Sequence, residues 1–107
     1  MAFSEIEKYV RDPDTPLIYN VSMVAANTEY SQALPANTKK YMVHLRDEAY
    51  VFDLAFAIGL VRPGTGVCIR VPVGCRYESP EVLIGTAPTV YFSCQTAAQV
   101  AEIEVWT

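Results

Sequence analysis

Apolar and polar residues alternate with a period of two along much of this chain, which is the pattern of strands with one buried face. The predicted strands lie at residues 17–25, 40–46, 50–56, 67–73, 82–84, 89–94 and 101–106. We expect the second and third of these to pair as a hairpin. Several short strands separated by Gly, Pro and Asn are typical of all-β sandwiches. The pattern therefore predicts one all-β domain over residues 1–107, a β-sandwich or jelly roll of about seven or eight antiparallel strands, with a small β-barrel as the alternative.

Two of these strands carry more detailed expectations. Proline cannot donate to a sheet ladder, so Pro72 places the strand at 67–73 at a sheet edge or a bulge. In the last strand the apolar residues at 101, 103 and 105 are expected to face the core. Trp106 then shares the outer face with the two neighbouring glutamates.

The N-terminal residues give a competing helical signal. Residues 4–7, Ser-Glu-Ile-Glu, fit a capping box, with Phe3 in the position of a hydrophobic staple. They predict a short N-terminal helix that ends before Pro13, and an extended arm is the alternative. Either could pack on a neighbouring subunit. No secretory signal is expected, because this stretch is charged and lacks a long apolar run.

Charge and composition exclude several classes of function. The chain has 12 acidic and 8 basic residues, a formal net charge of −4, and a hydrophobic fraction of 51%. Proteins that bind nucleic acid or anionic membranes use clustered Lys and Arg, so neither partner is expected. Residues 82–101 lack charge but contain Gly, Pro and several polar side chains, so no membrane span is predicted there.

Side chains with catalytic or metal-binding chemistry are sparse. His44 is the single histidine, and three cysteines stand at positions 68, 75 and 94. Their spacing matches neither a metal pair nor a redox motif, so reduced thiols are expected, with a bridge from Cys94 to either other cysteine as the alternative. The segment Gly64-Thr65-Gly66 lacks the Lys and the helix of a phosphate loop. We predict a protein that is not an enzyme, with no catalytic residue, metal or cofactor.

Four apolar or aromatic residues are candidates for contacts between subunits. Trp106 covers an end of the sandwich or anchors an interface, where Trp and Tyr contribute much of the contact energy. The others lie in loops or on predicted outer faces, which suggests that another copy of the chain covers part of the surface. The predicted interface residues are Tyr30, Met42, Val51 and Trp106.

Three stretches together resemble a known class of protein. They are Tyr30-Ser31, Leu34-Pro35 and Thr38-Lys39-Lys40-Tyr41 within residues 27–41, the turn and strand Pro88-Thr89-Val90-Tyr91-Phe92-Ser93, and the ending Ile103-Glu104-Val105-Trp106. This combination is similar to small all-β virion accessory proteins of tailed bacteriophages, the head decoration or cement proteins. The resemblance covers about half of the chain.

The resemblance implies a structural protein without cofactor or catalytic residues. It implies a homo-oligomer, most simply a dimer or trimer, that binds the viral capsid or another virion protein. The cysteine pattern separately suggests that the protein is made in a reducing cytoplasm, which for a virion protein is the host cytoplasm. Head and tail locations are equally consistent with it. Two other functions fit a small β-protein: an Sm-like ring on RNA, and a sandwich that binds sugars through Tyr30, Tyr77 and Trp106.

Overall fold

The structure, a computed structural model, describes residues 15–62, 64–80 and 87–107. These residues form eight strands: β1 (Leu17–Met23), β2 (Tyr30–Ala33), β3 (Lys40–Leu45), β4 (Phe52–Ala55), β5 (Ile69–Val71), β6 (Tyr77–Glu78), β7 (Thr89–Cys94) and β8 (Gln99–Trp106). Sheet A has the order β1-β8-β3-β6 and sheet B the order β2-β7-β4-β5. All pairings are antiparallel. This is the order of an eight-stranded jelly roll, so the predicted fold class is confirmed and the small barrel is not the fold.

One apolar core fills the space between the two sheets. It is built largely from the apolar positions of the predicted alternating strands, and burial of these side chains is the main force that holds the sheets together. Other residues on the apolar phases of the predicted strands are exposed instead: Leu17, Phe56, Val67, Ile69 and Val73. The buried members are Met23, Leu34, Tyr41, Val43, Leu45, Phe52, Leu54, Val71, Val90, Phe92, Cys94, Ala101, Ile103 and Val105. Apolar and polar residues alternate along strands such as β3 and β8 because only one face of each strand packs against this core.

Strand β8 is the best-predicted element. It pairs with β1 on one side and with β3 on the other. Ala101, Ile103 and Val105 are fully buried, and Trp106 lies half-buried on the other face with the two glutamates. The expectation for Pro72 also holds, since β5 is an edge strand of sheet B and ends at Val71.

Other expectations for the strands were wrong or incomplete. The predicted hairpin between residues 40–46 and 50–56 does not form, because β3 lies in sheet A and β4 in sheet B. The connection between them crosses from one sheet to the other. Strands β2 and β6 were not predicted, since they are short and mostly polar.

Some expectations concern parts of the chain outside the described ranges. The predicted N-terminal helix or arm and the predicted strand at 82–84 both fall there. Within residues 15–62, 64–80 and 87–107, no helix is long and apolar enough to cross a membrane.

Candidate functional site

The outer face of sheet B is buried although it points away from the core. Asp53 and Ser93 are register partners on this face, and Ala55 lies two residues further along β4. All three are at most 2% exposed. Arg62, in the connection between β4 and β5 (residues 56–62 and 64–68), contacts Asp53 on this face. Apolar and small residues on both faces of β4 had suggested a cover from another subunit, but the chain covers this part of the sheet itself.

A buried carboxylate fastens this connection to the sheet. Arg70, opposite Asp53 on β5, donates from Nε to Oδ1 at 2.9 Å and from Nη2 to Oδ2 at 3.1 Å. Arg62, in the connection itself, donates from Nη1 to Oδ1 at 3.3 Å. The bonds to the carboxylate raise the pKa of the Arg70 guanidinium. Because the Asp53 side chain is only 3% exposed, both of its oxygens depend on these donors.

Three further contacts hold the connection in place. The backbone N–H of Gly59 donates to Oε1 of Glu29 at 2.9 Å, which ties the connection to the start of β2. The N–H of Thr65 donates to the carbonyl of Gly59 at 3.0 Å. Val61, within the connection, is 1% exposed, so its side chain is fully buried. The segment is thus restrained by charge, by hydrogen bonds and by apolar burial.

The restrained connection presents an apolar surface to solvent. The exposed side chains, with their exposed fractions, are Phe56 at 50%, Ile58 at 75% and Val67 at 68% in the connection, and Ile69 at 43% at the start of β5. We call these four residues the loop surface. Phe56, Val67 and Ile69 line a groove of about 420 Å³, together with Leu54, Leu60 and Cys68. Large apolar side chains grouped in this way are characteristic of protein contact sites.

The floor of the groove is an extension of the core. Ile69 is paired with Leu54, so both side chains lie on the inner side of sheet B, but Ile69 is near the open edge and reaches solvent. The Phe56 ring lies 5.7 Å from the Tyr77 ring of sheet A, centroid to centroid. Tyr77 in turn stands 6.1 Å from buried Tyr41. The groove therefore lies beside an aromatic cluster that continues into the core.

The structure brings together two of the four predicted interface residues. Met42 and Trp106 both lie half-buried on the outer face of sheet A, on the adjacent strands β3 and β8. The Lys40 ammonium lies 5.0 Å from the centroid of the Trp106 ring, an attractive cation–π geometry. This face therefore contains an aromatic and an apolar side chain beside charged residues.

The other two predicted interface residues lie elsewhere. Tyr30 is on β2, packs against the core, and accepts a hydrogen bond at its hydroxyl from the N–H of Ala25 at 2.9 Å. Val51 immediately precedes β4, is half-buried, and accepts at its carbonyl from the Cys94 thiol at 3.3 Å. These contacts give both residues a role within the subunit, and their part in an interface remains a prediction.

His44 is engaged in a charged cluster on the outer face of sheet A. Glu102 Oε2 accepts from Arg46 Nε at 2.8 Å, and Glu102 Oε1 lies 3.8 Å from His44 Nε2. Across the described part of the chain, no three His, Cys, Asp or Glu side chains are grouped so that they could hold a metal ion. The cysteines are free thiols: Cys94 buried, Cys68 half-buried and Cys75 exposed.

Sequence reasoning missed the loop surface and the buried Asp53. Asp53 occupies the polar phase of its strand, which looks like an ordinary solvated position. Two features of the sequence could have indicated it. Asp53 is the single charged residue among the apolar residues 50–56, and two arginines, Arg62 and Arg70, follow nearby in the chain. These residues meet only because β5 pairs with β4 and the connection folds back.

Comparison with known proteins supports the fold alone. No known family matches the sequence, and no curated protein does. Among solved structures, a de novo designed double-stranded β-helix matches with a TM-score of 0.54 at 13% identity, over 85% of this chain and 99% of the designed one. A periplasmic inhibitor of g-type lysozyme from Aeromonas hydrophila, PliG, matches with a TM-score of 0.47 at 11% identity, over 84% of this chain and 83% of the inhibitor.

Proposed function

We propose that this protein is a non-enzymatic structural protein of a bacteriophage virion, a capsid decoration protein or another small virion protein. The single observation that carries the proposal is the loop surface, four large apolar side chains that are exposed on or directly after a restrained connection of a jelly roll. The similarity of residues 27–41, 88–93 and 101–106 to small phage accessory proteins supplies the virion context.

Restraint of the connection favours docking on another protein. A flexible loop loses conformational entropy when it binds, whereas a loop already fixed by Asp53, Glu29 and Val61 has lost most of it on folding. The groove beside the loop surface has room for an apolar side chain of a shell subunit. Each contact is small, but copies joined into an oligomer bind the shell together, which raises the overall affinity. This is the physical basis on which such a protein would stabilise a capsid.

The RNA-binding alternative is less well supported because four of the six Lys and Arg side chains in the described ranges are paired with carboxylates. Arg62 and Arg70 bind Asp53, Arg46 binds Glu102, and the Arg76 guanidinium lies 3.5 Å from the Glu78 carboxylate. Recognition of RNA requires cations free to neutralise phosphates and aromatics free to stack on bases.

The sugar-binding alternative requires coplanar exposed aromatics. Tyr30 is on β2, at one edge of sheet B, and Tyr77 is on β6, at an edge of sheet A on the opposite side of the sandwich. Trp106 lies at the end of β8 beside Lys40. The three residues named for that function therefore provide no shared platform.

The experiment that tests the proposal is binding of the purified protein to capsids of the tailed phage that encodes it, prepared without the protein. Co-sedimentation should be saturable, with a fixed number of copies per capsid. Ile58→Asp places a charge on the loop surface and should weaken binding strongly. The matched control is Val73→Asp, which changes an exposed valine beyond the other end of β5 and should bind nearly as well as the unmodified protein.

Two results would argue against the proposal. Absence of saturable binding to such capsids would exclude the shell role. Equal binding by the two variants would show that another face makes the contact, with the outer face of sheet A around Met42 and Trp106 as the next candidate.

A further inference from the structure

Strand β1 forms one edge of sheet A, and its outer side has no strand partner among the described residues. It is seven residues long, Leu17–Met23, and contains neither a charged residue nor a proline. Natural proteins usually protect a sheet edge with Lys, Pro, a bulge or a very short strand, because unpaired backbone groups invite pairing with another chain. Strands β5 and β6, at the opposite edges, have only three and two residues.

The register shows which backbone groups of β1 point to this edge. The N–H of Arg46 donates to the carbonyl of Val100, and the carbonyl of Trp106 accepts from Lys39, so the even-numbered residues of β8 direct their backbone groups toward β3. In an antiparallel sheet the backbone N–H and C=O groups of successive residues point to alternate sides of the strand. The odd-numbered residues of β8 therefore bond to β1. Their partners in β1 are odd-numbered too, for example Tyr19 opposite Ile103.

The even-numbered residues of β1 therefore direct their N–H and C=O groups outward. These residues are Ile18, Asn20 and Ser22, and their side chains lie on the outer face of the sheet. The edge thus offers three donors and three acceptors at regular spacing.

We propose that β1 of one copy pairs antiparallel with β1 of a second copy, about a two-fold axis at Asn20. Ile18 then lies opposite Ser22 of the other copy, and Asn20 lies opposite its own equivalent. Each such pair exchanges both of its backbone hydrogen bonds, so the three pairs form about six. Sheet A becomes one continuous eight-stranded sheet across the dimer.

The second copy is favoured as the occupant because the edge is complementary to itself. Pairing about a two-fold axis brings the same seven residues of two copies together, so charged residues of one sign in β1 would repel each other across the interface. None is present, and Asn20 at the centre can both donate and accept. Ile18 is 64% exposed, a large apolar side chain that the pairing would cover. This inference concerns contact between copies and does not depend on the shell role proposed above.

The variant Asn20→Pro tests the pairing at its centre. In a single copy the N–H of residue 20 makes no bond to β8, so proline there removes a donor of the proposed interface and none of the sheet. Asn20→Ala keeps the N–H and is the matched control. Size exclusion with light scattering should give a dimer for the unmodified protein and for Asn20→Ala, and a monomer of unchanged circular dichroism for Asn20→Pro.

Residue-resolved hydrogen exchange of the unmodified protein provides a test that needs no variant to fold. The amides of Ile18, Asn20 and Ser22 should be protected at high concentration and exchange rapidly in the dilute monomer, while those of Tyr19 and Val21 stay protected in both. A monomer at all concentrations overturns the proposal, as does a dimer whose three even-numbered amides exchange rapidly. Protection of these amides in the monomer would also overturn it, because the chain's own residues would then cover the edge.

Discussion

The anchoring of the connection between β4 and β5 can be measured with one pair of substitutions. Val61 and Val67 belong to the same connection, but Val61 is 1% exposed and Val67 is 68% exposed. Val61→Ala removes two buried carbons at about 0.8 kcal/mol each, a loss of about 1.6 kcal/mol. A residual cavity would add to this loss. Val67→Ala deletes the same two carbons, but there they are exposed to solvent, so the free energy of unfolding should change by less than about 0.5 kcal/mol.

The assay is equilibrium unfolding in urea, followed by circular dichroism and by the fluorescence of Trp106, the single tryptophan. The free energy of unfolding should fall for Val61→Ala with an unchanged dependence on urea, because the native state stays equally compact. Equal effects of the two substitutions would refute the reasoning, since the connection would then not be packed on sheet B. A cost below about 0.5 kcal/mol for Val61→Ala would refute it as well.

Three further predictions follow from the described contacts. Asp53→Asn removes the charge that holds both arginines, so the Gly59 amide should exchange hydrogen faster while amides of the core strands are unchanged; equal protection of Gly59 would exclude the ionic anchor. Burial raises the pKa of the Tyr41 phenol. Its contribution to stability is therefore present below about pH 10, the pKa of an unfolded tyrosine, and declines as the pH rises above that value. Urea unfolding at several pH values should show that Tyr41→Phe loses less stability at alkaline pH than the unmodified protein. A thiol reagent should modify exposed Cys75 in the folded protein and reach buried Cys94 only on unfolding; rapid modification of Cys94 would contradict its place in the core.

Much of the fold could be predicted because it follows from local alternation. The apolar phase of β8 and of β3 matches the buried residues of sheet A, since a strand against a core must alternate. Pro72 marked an edge strand for an equally local reason, its missing N–H. These are properties of single strands, and a single sequence is sufficient to reveal them.

Pairing between strands could not be predicted in the same way. The short gap between β3 and β4 favoured a hairpin, but the two strands belong to different sheets because each finds a longer apolar partner elsewhere: β3 pairs with β8 and β4 pairs with β7. Strand β2 has almost no apolar pattern of its own, and its existence depends on pairing with β7. Non-local contacts of this kind are not encoded in any single segment.

The candidate site depended on the same non-local contacts. Asp53 and Arg70 meet because β4 and β5 are paired, and Arg62 joins them because the connection folds back over the sheet. The exposed apolar residues Phe56 and Ile58 could be read from the sequence only as further strand or loop residues. Their common surface exists only once the connection is anchored.

The central proposal, that the protein is part of a phage virion, is tested most directly by quantitative mass spectrometry of phage virions purified from cells that produce the protein. The account predicts the protein in a fixed ratio to the major capsid protein, retained through density-gradient purification, and lost when Ile58→Asp replaces the unmodified chain. Virions that lack the protein, while it accumulates in the host cell during infection, would contradict the claim.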